Sequence, residues 1–187
     1  MKITLLFLLL TISCNNVLAK SAEFVQCFDF GCKSTKEFSF NQDQWKSIND
    51  IFTRPALSAW IEKQQIRQAV ALMEIMAGSI SGTSLDKGGN YSGIDLPFQQ
   101  DCIDESTNTY QYLQALQLRN LLHWHQVAEK KRRIIWFATH WTAVIREHNT
   151  NQQFAVDSWY RDNGDLPYIQ KNEDWLRKSS FSDSLNP

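Results

Sequence analysis

The first nineteen residues decide in which compartment, and so under which chemistry, the rest of the chain folds. Met1-Lys2 gives a short positive start, and Ile3 to Ile12 is an apolar run broken only by Thr4 and Thr11. Val17-Leu18-Ala19 then places small or β-branched residues at the two positions a signal peptidase reads. The run is about half the ~20 residues needed to cross a bilayer, and the polar Asn15-Asn16 break does not suit a buried helix. The pattern predicts a signal peptide over residues 1–19 and a mature protein in the periplasm or outside the cell. Thr11-Ile12-Ser13-Cys14 loosely resembles a lipoprotein box that would lipidate Cys14, but Thr11 stands where such boxes carry an aliphatic residue. Cleavage after Ala19 is the expectation.

Removing 19 of 187 residues leaves 168, enough for one domain with its own core. The lost segment holds Lys2 and no acid, so the formal charge moves from −1 to −2. Nothing in a near-neutral chain points to nucleic acid or an anionic membrane as its main partner. Lys130-Lys131-Arg132-Arg133 reads as a solvated turn between a helix and a strand. No segment after the leader reads as a membrane span.

The mature chain keeps Cys27, Cys32 and Cys102. Cys27 and Cys32 flank Phe28-Asp29-Phe30-Gly31, a short loop with a glycine where a tight turn needs one. In an oxidising compartment such a close pair is expected to bridge, pinning an N-terminal arm over residues 20–40. Cys102 is then left over, as a buried thiol, an intermolecular bridge or a reactive group.

From Asn41, a domain is expected to residue 178, with a frayed tail over 179–187. Trp45, Ile48, Ile51 and Phe52 recur on one helix face. Pro55 suits the first turn of a second helix running to about Gly78, with Leu57, Trp60, Ile61, Ala69, Leu72 and Ile75-Met76 as its apolar stripe. Ser79 to Phe98 is glycine-punctuated and loop-like, long enough to be a lid. A third helix is expected from Asp101 to Trp124. Ile134 to Ile145 then reads as a strand, Glu147 to Asn151 as a turn, and Gln152 to Tyr160 as its partner, with a short strand over Leu166 to Ile169. Helices followed by an antiparallel sheet packed behind the third helix make an α+β fold.

Three residues fall where a cysteine nucleophile needs them. Cys102 opens the third helix, where free N–H groups and the helix dipole favour a thiolate. His140 lies in the first strand and Asp157 near the end of the second, across a hairpin that brings the two side by side at a spacing of about 5 Å. A carboxylate orients an imidazole, which deprotonates the thiol and later protonates a leaving amine.

Gln100-Asp101-Cys102-Ile103-Asp104-Glu105-Ser106, His140-Trp141-Thr142-Ala143-Val144 and Phe154-Ala155-Val156-Asp157-Ser158-Trp159 together resemble the bacterial transglutaminase-like cysteine proteinases. That family shows a Gly-Asp-Cys-Glu-Asp-type helix start, a His-Ala-Val strand and a Val-Asp or Leu-Asp-Asn strand end. The resemblance covers about residues 98 to 160. It implies a papain-related α+β core with Cys102 as nucleophile, His140 as base and Asp157 as orienting acid, and no cofactor. Gln100 stands where the family has Gly, and Ser158 where it has Asn. Gln99 and Gln100 are candidate oxyanion donors by proximity, with the Cys102 backbone N–H as the other.

Other polar residues read as structural. Asn108 falls on a solvated helix face. His123 and His125, placed on a helix, point to different faces and form a poor chelate with His140 or Asp104, so no metal is expected. His148 lies in the turn. Trp141, Trp159 and Tyr160 pack around the hairpin, Trp159 also walling a cleft. The function expected is an exported cysteine hydrolase or acyltransferase acting on peptide, protein or peptidoglycan amides. The alternative is a non-enzymatic envelope binding or assembly module on the same scaffold.

Overall fold

The disulfide expected between Cys27 and Cys32 is formed, with the two Cα atoms 4.5 Å apart. It closes a hairpin of β1 (Glu23–Phe28) and β2 (Ser34–Ser39), paired antiparallel from Glu23↔Ser39 to Phe28↔Ser34. These details come from a computed structural model that describes residues 23–90, 96–135 and 138–177. The signal peptide, Cys14, the segment 91–95 and the tail 179–187 lie outside the described residues. Residues 23–39 are more than the pinned arm expected. Phe24 is 2% exposed and sits in the main core with Phe40 and Trp45. Asp29, Phe30, Gly31 and Cys32 all have positive φ, from 54° to 72°, which costs a non-glycine residue roughly 1–2 kcal/mol. Hydrogen bonds to the start of the third helix offset that cost.

Three helices follow. α1 (Gln42–Ile51) starts at a capping box in which Asn41 and Gln44 exchange two bonds of 2.9 Å. α2 (Ala59–Ser81) is capped by Ser58, so Pro55 and Leu57 precede the helix instead of opening it. It runs past Gly78 and stops at Gly82, whose φ of 96° ends a helix without Cβ strain. The expected loop therefore begins with helix and a 3-10 turn at Thr83–Leu85. The buried face of α2 carries Glu62, Arg67 and Glu74 beside Ile66, Val70 and Met73, which blurs the apolar stripe. α3 (Cys102–Leu118) ends six residues earlier than expected. There the backbone N–H groups of His123, Trp124 and His125 turn onto the buried Glu62 carboxylate at 2.7–2.9 Å. The helix itself stops in a local left-handed turn: Asn120 has a φ of 56°, its N–H donates to the Gln117 carbonyl at 2.9 Å and the Leu121 N–H to the Leu116 carbonyl at 3.0 Å.

The single strand expected over 134–145 is two strands. β3 (His125–Ile135) and β4 (Ala138–Glu147) pair antiparallel, and the residues joining them, 136–137, lie outside the described ones. The basic cluster is not a turn. It lies in β3, the edge of a four-stranded antiparallel sheet ordered β3-β4-β5-β6, with Arg132 exposed, the two lysines half-buried and Arg133 buried. β5 is Gln153–Asp157 and β6 Tyr168–Lys171, followed by the short α4 (Asn172–Leu176). Ala143, Ile145, Phe154, Val156 and Ile169 meet Val70, Met73, Leu113 and Leu116 in one core. The fold is α+β with antiparallel sheets. Among the described residues no helix is long and apolar enough to cross a membrane.

Candidate active site

The start of α3 is fixed first. Asp101 is its N-cap, accepting from the Ile103 and Asp104 N–H groups, while the Asp104 carboxylate accepts from the Asp101 N–H at 3.1 Å. Cys102 is thus the first helical residue, and its own N–H is not used by the cap. Asp104 also takes the Phe30 N–H at 2.9 Å and the Cys32 N–H. The disulfide turn thereby clamps the helix that carries the unpaired thiol.

The same hairpin is pinned by the flank of α3. Asn108 is not on a solvated face. It is 1% exposed, accepts the Cys27 N–H at 2.8 Å and donates to the Cys27 carbonyl at 2.9 Å. One turn on, Gln111 repeats the pair on Val25 at 2.9 Å each. Two side-chain amides thus supply the bonds that a third strand would make along β1.

Cys102 sulfur lies against β4. Its thiol donates to the Thr139 carbonyl at 3.6 Å, and the Trp141 N–H donates to the sulfur. Those backbone groups flank His140 on either side. β5 pairs with β4 only from Ala143↔Val156 onward. The sulfur therefore occupies backbone positions that β5 leaves unpaired. Extending that register puts Asp157 opposite Thr142, with His140 at the diagonal position. The two side chains meet, His140 Nε2 to Asp157 Oδ2, at 2.7 Å, and both are about 2% exposed. That bond assigns the proton to Nε2. Nδ1 is buried without a hydrogen-bond partner among the described residues.

The imidazole is boxed by aromatic rings, Trp159 at 4.9 Å, Tyr160 at 5.0 Å and Trp175 at 5.6 Å between centroids. Trp159 is 4% exposed, so it encloses the histidine more than it lines an open cleft. Trp175 was invisible to sequence reasoning, because a lone tryptophan in a five-residue helix after β6 carries no motif. Its indole N–H donates to Asp157 Oδ2 at 2.7 Å.

One expectation is corrected here. The Cys102 thiol is not pushed down by the helix start. Burial raises it, the Asp101 and Asp157 carboxylates add to the rise, and the Trp141 and Cys102 N–H groups offset only part. Gln99 and Gln100, the oxyanion candidates, each spend one side-chain N–H on a neighbouring carbonyl. Gln99 Nε2 donates to the Leu85 carbonyl at 3.3 Å, while its Oε1 accepts from Lys87 N–H and from Asn90 at 2.6 Å. Gln100 Nε2 donates to the Cys27 carbonyl at 3.0 Å. Both amides bind the approach to α3 onto its neighbours, leaving the Cys102 N–H as the donor beside the sulfur.

The competing histidines are placed elsewhere. His125 begins β3, and its Nδ1 meets Glu62 Oε1 at 3.0 Å, away from His140 and Asp104. Glu62 is held below its ordinary range. Burial opposes that, but the donors of His125, His123 and Trp124 together outweigh it. Cys27, Cys32 and Asp104 form the cluster of metal-type ligands found among the described residues, and its two sulfurs are bridged to each other.

Behind Cys102 lies a set of buried acids that the sequence reading passed over. Burial raises Glu74 to about 8, Asp86 to about 7 and Asp104 to about 6, and lifts Glu105 well above its usual range. Repulsion from neighbouring carboxylates adds to each, from Asp101 in the case of Asp104. Asp86 Oδ1 accepts the Gln100 N–H at 2.7 Å, and Ser158 links Glu74 to Thr109. Compared with protein-family models, with curated proteins and with solved structures, the chain matches none.

Proposed function

We propose that the chain is an exported acyl-transfer enzyme of transglutaminase-like type, with Cys102 as nucleophile, His140 as base and Asp157 as orienting acid. The observation that carries the reading is the His140–Asp157 bond of 2.7 Å, which leaves a buried, unpartnered Nδ1 on a residue whose two backbone neighbours hold the Cys102 sulfur. His140 Nδ1 takes the thiol proton as sulfur bonds to an amide carbonyl carbon. The carbonyl oxygen becomes an oxyanion facing the Cys102 N–H. The C–N bond then breaks, and His140 returns the proton to the leaving amine. Water or a second amine resolves the thioester, and the thiol is regenerated. Because burial holds the resting thiol protonated, base assistance during attack is required in place of a standing thiolate. The Cys27–Cys32 bridge suits an oxidising compartment, so peptide, protein or peptidoglycan amides are the substrate class.

An activated acyl ester tests this without knowledge of the substrate. p-Nitrophenyl acetate should give a burst of about one nitrophenolate per protein, lost in Cys102→Ser and slowed roughly 10²–10⁴-fold in His140→Ala. The commitment of both glutamine amides favours a second reading, a non-catalytic binding module. No burst from the wild type, or an undiminished burst from Cys102→Ser, would establish that reading and remove the enzyme.

A further inference from the structure

We infer that Trp175, clamped by Arg133, is a positioning residue that fixes the His140–Asp157 pair, an inference that rests on the reading of that pair as base and orienting acid. Asp157 Oδ2 receives two donors at 2.7 Å, His140 Nε2 and Trp175 Nε1, while Oδ1 has no partner among the described residues. The indole is therefore the carboxylate's second anchor. With both donors on one oxygen, the carboxylate cannot turn about its Cβ–Cγ bond without losing one of them. The plane of the imidazole is set in the same stroke.

The indole is itself held. Arg133 is the cross-strand partner of His140 on β3, and it is 6% exposed. Its guanidinium lies 4.5 Å above the Trp175 ring, donates through one nitrogen to the Trp175 carbonyl, and reaches the Tyr160 hydroxyl at 3.0 Å through the other. One planar cation thus joins two of the three rings around His140. A tryptophan kept for packing alone has no need to aim its N–H at a buried carboxylate. Here the fully buried Trp175 does so, on the oxygen that orients the base.

The two roles separate when Trp175 is replaced by Phe, or by 3-benzothienylalanine, which keeps the bicyclic shape and lacks the N–H. The second variant guards against simple loss of folding. The acylation burst should slow about 10–100-fold in both, as for a misplaced reacting group. Its pH midpoint should move upward, because Asp157 with one donor fewer stabilises imidazolium more strongly. A purely structural role would lower the melting temperature and leave that midpoint in place. Wild-type rate and midpoint in the benzothienyl protein would overturn the inference while leaving the triad standing. If the wild type shows no Cys102-dependent burst, the triad falls instead. The ¹⁵N-detected titration of His140 then decides the present point, and an unmoved titration in the benzothienyl protein refutes it.

Discussion

Glu74 offers a direct test of the buried carboxyl set, through Glu74→Gln. The side chain is 4% exposed on the inner face of α2, where Oε2 accepts the Gly164 N–H at 3.3 Å and the Ser158 hydroxyl is its other partner. Glutamine keeps the shape and an acceptor, and removes only the ionisation. Burial, followed by repulsion from Asp86 and Asp165, raises the native carboxyl to about 8 from an ordinary 4.5. A raised carboxyl contributes stability that is fully present below the unfolded value and is lost as pH climbs to the folded one. Between pH 5 and pH 8 the native state keeps a proton the unfolded chain has released, so stability falls by about 1.36 kcal/mol per pH unit, on the order of 4 kcal/mol in all. For a chain of this size that is roughly 10 °C in melting temperature. Urea unfolding of both proteins at pH 5 and pH 8 reads the effect. The variant should match the wild type to within about 1 kcal/mol at pH 5 and exceed it by several at pH 8. Equal pH slopes in the two proteins, or a variant weaker than wild type at pH 8, would refute the reasoning.

Other predictions concern the supports of the site. Glu62→Ala strips the acceptor from three backbone N–H groups and from His125; at about 1–3 kcal/mol per buried donor, thermal melting should fall by well over 10 °C. Asn108→Ala uncovers the Cys27 N–H and leaves the Cys27 carbonyl with Gln100 as its remaining donor; it should cost about 1–3 kcal/mol, read by denaturant midpoint. The raised Cys102 thiol predicts slow iodoacetamide alkylation at pH 6–7 that climbs only above the ordinary thiol range; fast alkylation at pH 6, mapped to Cys102 by mass spectrometry, would contradict it. Gly88→Ala should destabilise more than Gly89→Ala. A Cβ at Gly88 would stand 2.5–2.7 Å from the Arg161 backbone, while Gly89 has open space and only its φ of 67° to protect; melting temperatures of the two variants rank them.

Much of this was legible in short-range patterns. The Cys27–Cys32 spacing implied a bridge, and the helix face of Trp45 and Ile48 implied α1, because both signals depend on neighbours in sequence. His140 and Asp157, seventeen residues apart across a turn, were readable for the same reason. What failed depended on distant partners. Asn108 looks solvated because its partner, Cys27, lies 81 residues away, and the Glu62 carboxylate that gathers the His123, Trp124 and His125 N–H groups comes from another helix. Four charged residues in a row resemble a turn, and only the edge position of β3 makes them a strand. The thiol was misjudged because a helix start was weighed without Asp101, Asp157 and burial beside it.

The described part of the glycine-punctuated segment that follows α2 acts as a brace. Its residues 86–89 are tied to the turn that leaves β5. Asn163 N–H donates to the Asp86 carbonyl at 3.2 Å, Gly88 N–H to Asp162 at 3.0 Å, and Gly89 N–H to the Trp159 carbonyl at 2.6 Å. Lys87 and Asp162 add a contact of 2.6 Å that is exposed and so contributes little. Backbone is bonded to backbone on both sides of Gly88, too closely for a side chain to intervene. The end of β5 is thus supported from two directions, by this brace on the Trp159 backbone two residues past Asp157 and by the Trp175 indole N–H on Asp157 itself. Cys102 is fixed from a third, by the disulfide turn acting on Asp104. Three separate supports thus act on two residues, Asp157 and Cys102, which is the preorganisation that the proposed triad would need.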